Sequence, residues 1–149
     1  MSSWRDETDE QVRDELDGLL DVSLRAARGL LDEAGEFYPF VVVLAESTEV
    51  LSPMPKTGPR EMADVETVLD LCWQVLADRT ADARAGAVVS NVGSAGSDAV
   101  AVALEHRDGP AIEVFLPYRE QGKTNGKKPA QRHRYGDLQA TPGRRRVWG

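Results

Sequence analysis

The sequence predicts an α+β domain: two helices on one face of a five-stranded antiparallel sheet, in the order α-β-β-α-β-β-β, with a basic C-terminal tail. Three observations predict it. Two stretches carry apolar residues at three- and four-residue spacing, five shorter apolar stretches are bounded by turn residues, and 149 residues suffice for one domain with its own core.

Thr8-Asp-Glu-Gln11 reads as a capping box that opens the first helix, with Asp9 and Glu10 favoured by the helix dipole. Val12, Leu16, Leu19, Leu20, Leu24, Ala27, Leu30, Leu31 and Ala34 then fall on one face, and Gly35 stands where a helix ends. Phe37 to Ala45 is too short and too β-branched for a helix and reads as a buried strand. Glu46-Ser-Thr-Glu49 is a turn, and Val50 to Met54 a short return strand. Pro53, Pro55, Gly58 and Pro59 make a stiff connection. A second helix is expected from about Arg60 to Arg79. Met62, Val65, Leu69, Cys72, Trp73 and Leu76 form its main stripe, widened by Val68 and Val75. Gly86 to Val92 is the third strand. Asp98 to Glu105 and Ala111 to Tyr118 form a hairpin around His106-Arg-Asp-Gly-Pro110, in which Leu104 faces Ile112, Val102 faces Val114 and Val100 faces Leu116. The helices are expected to cover that apolar face. Ala99, Ala101, Ala103, Glu113 and Phe115 occupy the other.

The net charge of −7 is unevenly spread. Residues 1–118 hold nine Lys/Arg against twenty-three Asp/Glu, while residues 119–149 hold nine Lys/Arg against Glu120 and Asp137. The chain therefore divides into an acidic domain, 1–118, and a basic extension, 119–149, expected to dock on it; such a split marks an interaction surface. The longest apolar run, Phe37 to Ala45, is far short of the roughly twenty residues that span a bilayer. The first ten residues are polar and acidic, unlike a secretory signal. With a single cysteine, Cys72, set in an apolar stretch, a reducing cytoplasm is the expected location.

The motifs that tempt a catalytic reading fail on their surroundings. Gln121-Gly-Lys-Thr124 lacks the earlier glycine of a phosphate-binding loop, since Pro117 stands there, and Asn125-Gly-Lys-Lys-Pro129 follows instead of a helix. His106-Arg-Asp108 sits in turn chemistry, where His106 and Arg107 are expected to be exposed. His106 and His133, with no cysteine near, make no metal site. Glu46 with Glu49, and Asp64 with Glu66 or Asp70, read as solvated acids. Glu113 stands mid-strand and is expected on the outer face.

The element order over residues 8–118 resembles the roadblock and profilin-like folds, and that resemblance implies a small regulatory or assembly role. Phe37-Tyr-Pro-Phe40, Phe115-Leu-Pro-Tyr-Arg119 and Tyr135-Gly-Asp-Leu138 with Pro142-Gly-Arg-Arg-Arg-Val-Trp148 are similar to landmarks of small uncharacterised actinobacterial proteins. That second resemblance implies a bacterial source and no activity.

The expected function is a non-catalytic binding or regulatory module that acts through protein–protein contacts, as a homodimer or with another protein. No cofactor or metal is expected. The expected surface combines Phe115 and Glu113 with Arg119, Arg132, Arg134, Arg144, Arg145 and Trp148. An alternative is an enzyme or small-ligand binder with a site assembled from Glu46, His106, Tyr118 and Arg119. A third reading has the basic tail contact nucleic acid, against which the acidic domain weighs.

Overall fold

The computed structural model describes residues 8–53, 64–94, 97–120 and 133–148. The expected helix start at 60–63 and the Gln121–Thr124 motif lie outside the described residues, as does Arg132. Among the described residues, two helices and seven strands follow in the order α1 (Glu10–Ala34), β1 (Phe40–Leu44), β2 (Thr48–Leu51), α2 (Val65–Ala77), β3 (Ala85–Ser94), β4 (Ser97–His106), β5 (Ala111–Glu120), β6 (His133–Tyr135) and β7 (Gln139–Pro142).

The first helix forms where its pattern places it, but its cap is Asp9 and not Thr8. The Asp9 carboxylate accepts the Gln11 backbone N–H at 3.0 Å. Gly35 closes the helix at φ 79°, a left-handed turn that glycine enters without steric cost, and its N–H donates to the Leu31 carbonyl. In α2 the cap is Asp64. Val68, Cys72 and Leu76 are its buried line, whereas Val65 is exposed, and Leu69, Trp73 and Val75 are half-buried.

All strand pairs are antiparallel, in the order β2-β1-β3-β4-β5-β6, with β7 also on β5. The hairpin register is the expected one: Leu104 opposes Ile112, Val102 opposes Val114 and Val100 opposes Leu116. The sheet exceeds five strands because the basic tail returns and adds β6 and β7 to the outer edge of β5.

The helices do not share a face. Helix α1 packs on Phe40, Val42, Ala87, Val89, Val102 and Val114, the even side of β4 and β5. Helix α2 packs on Val41, Val43 and Val88, the opposite side. The physical reason lies in β1, whose residues Phe40-Val-Val-Val43 are buried on both sides. A strand apolar on both faces needs a cover on each. Among the described residues no helix is long and apolar enough to cross a membrane.

Candidate protein-binding groove and the C-terminal hook

Helix α2 lies over β1 and β3 and makes its sheet contacts there. Beyond it, the same face of β3, β4 and β5 forms a groove of about 230 Å³. Its floor includes Ser90, Val92, Ala101, Ala103 and Phe115; Leu69 and Trp73 of α2 make one wall, and Glu113 and Arg146 also line it. The residues are there by strand alternation: Ala101 opposes Phe115 and Ala103 opposes Glu113, so all four side chains point to the α2 side. The small alanines leave the floor low. Val92 is 39% exposed, and Ala101, Ala103, Glu113 and Phe115 are each half-buried. Glu113 thus stands on the side away from α1, but that side carries α2 and forms a groove, not the open outer face expected.

Arg146 reaches the groove because the end of the chain is hooked onto Glu105. This side chain sits at the end of β4 on the α2 side, only 2% exposed. Its Oε1 accepts the backbone N–H groups of Arg146 at 2.7 Å and Val147 at 3.1 Å; its Oε2 accepts those of Val147 at 3.1 Å and Trp148 at 2.6 Å. Three consecutive N–H groups on one buried carboxylate satisfy both partners away from water. Arg145 reinforces the hook. Its guanidinium donates to the carbonyls of His106 at 3.1 Å and Arg107 at 3.2 Å, and to that of Gly109. Val147 and Trp148 pack against the α2-side core. The Arg146 guanidinium then lies 4.7 Å from the centre of the Trp73 ring, a cation–π contact.

On the other face, His106 is buried at 1% exposure and is not the exposed turn residue expected from its neighbours. Its Nδ1 accepts the Asp108 backbone N–H at 3.0 Å, which leaves the proton on Nε2 to donate to Glu15 at 3.1 Å. Arg84 also holds Glu15, at 2.6 Å. With both ring nitrogens engaged in structure, His106 has no free basic atom to offer a substrate. Burial pushes the Cys72 thiol up to about 12, so it does not ionise near neutral pH.

The structure does not assemble the alternative ligand site. Glu46 lies in the β1–β2 turn, at the end of the sheet where Leu44, Ala85 and His106 align. Tyr118 pairs with Asp98, eight positions along β4 from His106, about 27 Å at strand spacing. Its hydroxyl meets the Asn91 side chain, and Arg119 is exposed beside it. Of the expected partner surface, Phe115 and Glu113 line the groove, while Arg145 and Trp148 belong to the hook. Arg119 opposes Arg134 across β5 and β6 at the far end of the sheet, both exposed, and Arg144 is exposed. Leu69 and Trp73, expected only as core residues of the second helix, and Arg146 stood outside the expected partner surface. Only the helical spacing of Leu69 and Trp73, four residues apart, could have marked a shared wall.

Among the described residues no three His, Cys, Asp or Glu side chains cluster as metal ligands would. No family model, no curated protein and no solved structure matches this chain.

Proposed function

We propose that this protein is a non-catalytic binding module that works through protein–protein contacts, and that the open groove beside α2 is seated on a second copy of the chain. The observation that carries this reading is the groove's composition: a mainly apolar floor of alanines and Phe115, Trp73 in a wall, and one acid and one base among its lining residues. Low side chains let a second layer approach to the roughly 10 Å at which sheets pack. A two-fold axis midway between Glu113 and Arg146 would set each Arg146 opposite the other copy's Glu113, the reciprocal pairing of an isologous contact. A basic partner of another kind would be drawn elsewhere, since Asp14, Asp17, Asp21 and Asp32 stand on α1, across the sheet from the groove.

Analytical ultracentrifugation over a wide concentration range tests this. The wild type is expected to pass from monomer to dimer. Phe115→Arg should remain monomeric while its thermal unfolding stays close to that of the wild type, because the side chain is half-buried and lies outside both buried clusters. A wild type that sediments as a monomer at every concentration overturns the second copy as occupant.

A further inference from the structure

Residues 145–148 are held differently from the rest of the tail. The last pairing to β5 is at Pro142, and the Gly143 N–H still donates to the Ala111 carbonyl at 2.9 Å. Beyond that point the segment adds no rung to the sheet. It is held by a carboxylate that takes backbone N–H groups, by carbonyls that take a guanidinium, and by two apolar side chains packed on the α2-side core. Such contacts are those of a bound peptide. All the receiving groups, Glu105, the carbonyls of the β4–β5 turn, Trp73 and the α2-side core, belong to residues that precede the tail.

We propose that Glu105 and the β4–β5 turn form a peptide-recognition site, occupied here by the chain's own C-terminus and able to take the same segment from another molecule. The ligand class is a peptide with an arginine followed by three free backbone N–H groups, the last two from an aliphatic and an aromatic residue. Each feature has its reader. The turn carbonyls read the Arg145 guanidinium, which has five donors in a rigid fork and no acceptor. The Glu105 carboxylate reads the N–H run, which proline would interrupt. The apolar patch reads Val147 and Trp148.

A second observation points to an exchangeable occupant. The Trp148 ring N–H is buried and finds no acceptor among the described residues. A buried donor left unpaired weakens the segment that carries it. The cis segment thus occupies the site by tethering as well as by fit, because a tether of this kind supplies an effective concentration in the millimolar range.

Fluorescence anisotropy with a labelled synthetic peptide of residues 142–149 tests the site on the full chain. Binding to the wild type should be weak, since the tethered segment competes. A full-length variant with Arg145→Ala and Trp148→Ala should bind the peptide at least tenfold more tightly, and adding Glu105→Ala to it should abolish binding. No binding to the folded double variant, or binding that survives Glu105→Ala, overturns the proposal. Should the double variant fail to fold, hydrogen exchange on the wild type decides. Excess peptide should raise exchange at the amides of Arg146, Val147 and Trp148, and exchange unchanged at saturating peptide overturns the proposal equally.

Discussion

Glu15 shows how one side chain ties helix to sheet. Burial pushes its carboxyl up, but hydrogen bonds from His106 and Arg84, with the Arg84 charge, outweigh that and hold it below its ordinary value of 4.5. A carboxyl whose pKa is lower folded than unfolded binds its proton less readily in the folded state. Its contribution to stability is therefore complete above about 4.5 and is lost as pH falls through the lowered value. The melting temperature should drop on acidification from about pH 5 to about pH 3, and more steeply in the wild type than in Glu15→Gln. Equal slopes in calorimetry would show that the triad adds no pH-linked stability. Little of this triad was legible in the sequence. Glu15, Arg84 and His106 are far apart along the chain, and His106 sits among turn residues that read as exposed. Glu105 was hidden for a similar reason. Its place in the alternation put it on the side of Ala103, but nothing local announces that the last residues of the chain return to cover it.

At the scale of elements, hydrophobic period and turn chemistry reveal helices and strands well, because each is a local constraint. The hairpin register could be written residue by residue for that reason: alternation leaves only one pairing that keeps Val100, Val102 and Leu104 with Leu116, Val114 and Ile112. Which side of the sheet a helix takes is not local. The four apolar residues Phe40 to Val43 carried the signal for a sheet covered twice, whereas the apolar face of the β4–β5 hairpin taken alone draws both helices to one side. Strands β6 and β7 escaped because they are short and largely polar, and gain their order from β5. The placement of α2 makes a demand on β3. A Cβ at Gly86 would overlap the end of the buried Leu76 side chain, so Leu76 must shift within the packed seat of α2 to admit one. Gly86→Ala should destabilise the protein by about 1–3 kcal/mol in denaturant titrations, the usual cost of overpacking. An unchanged midpoint would mean that α2 rides on the sheet more loosely than its buried line Val68, Cys72 and Leu76 indicates.

For the whole molecule, charge and apolar surface point in different directions. The acids of α1 lie on one side of the sheet and the groove on the other, while the basic tail crosses the edge between them and delivers Arg146 to the groove. Two copies each carrying −7 repel at long range. A contact through the groove would join them where one acid and one base nearly cancel, so the local attraction would be apolar and close-range. Salt screens the long-range repulsion, over a Debye length of about 10 Å at 0.1 M, and leaves the apolar contact intact. Dimerisation through the groove should therefore tighten as salt rises from about 0.05 M to about 0.5 M. A basic partner held by the acidic helix would behave oppositely and dissociate. Sedimentation at the two salt concentrations gives the sign directly. A dimer that loosens with salt would place its interface on the charged surfaces instead, and would send the search for contacts back to α1.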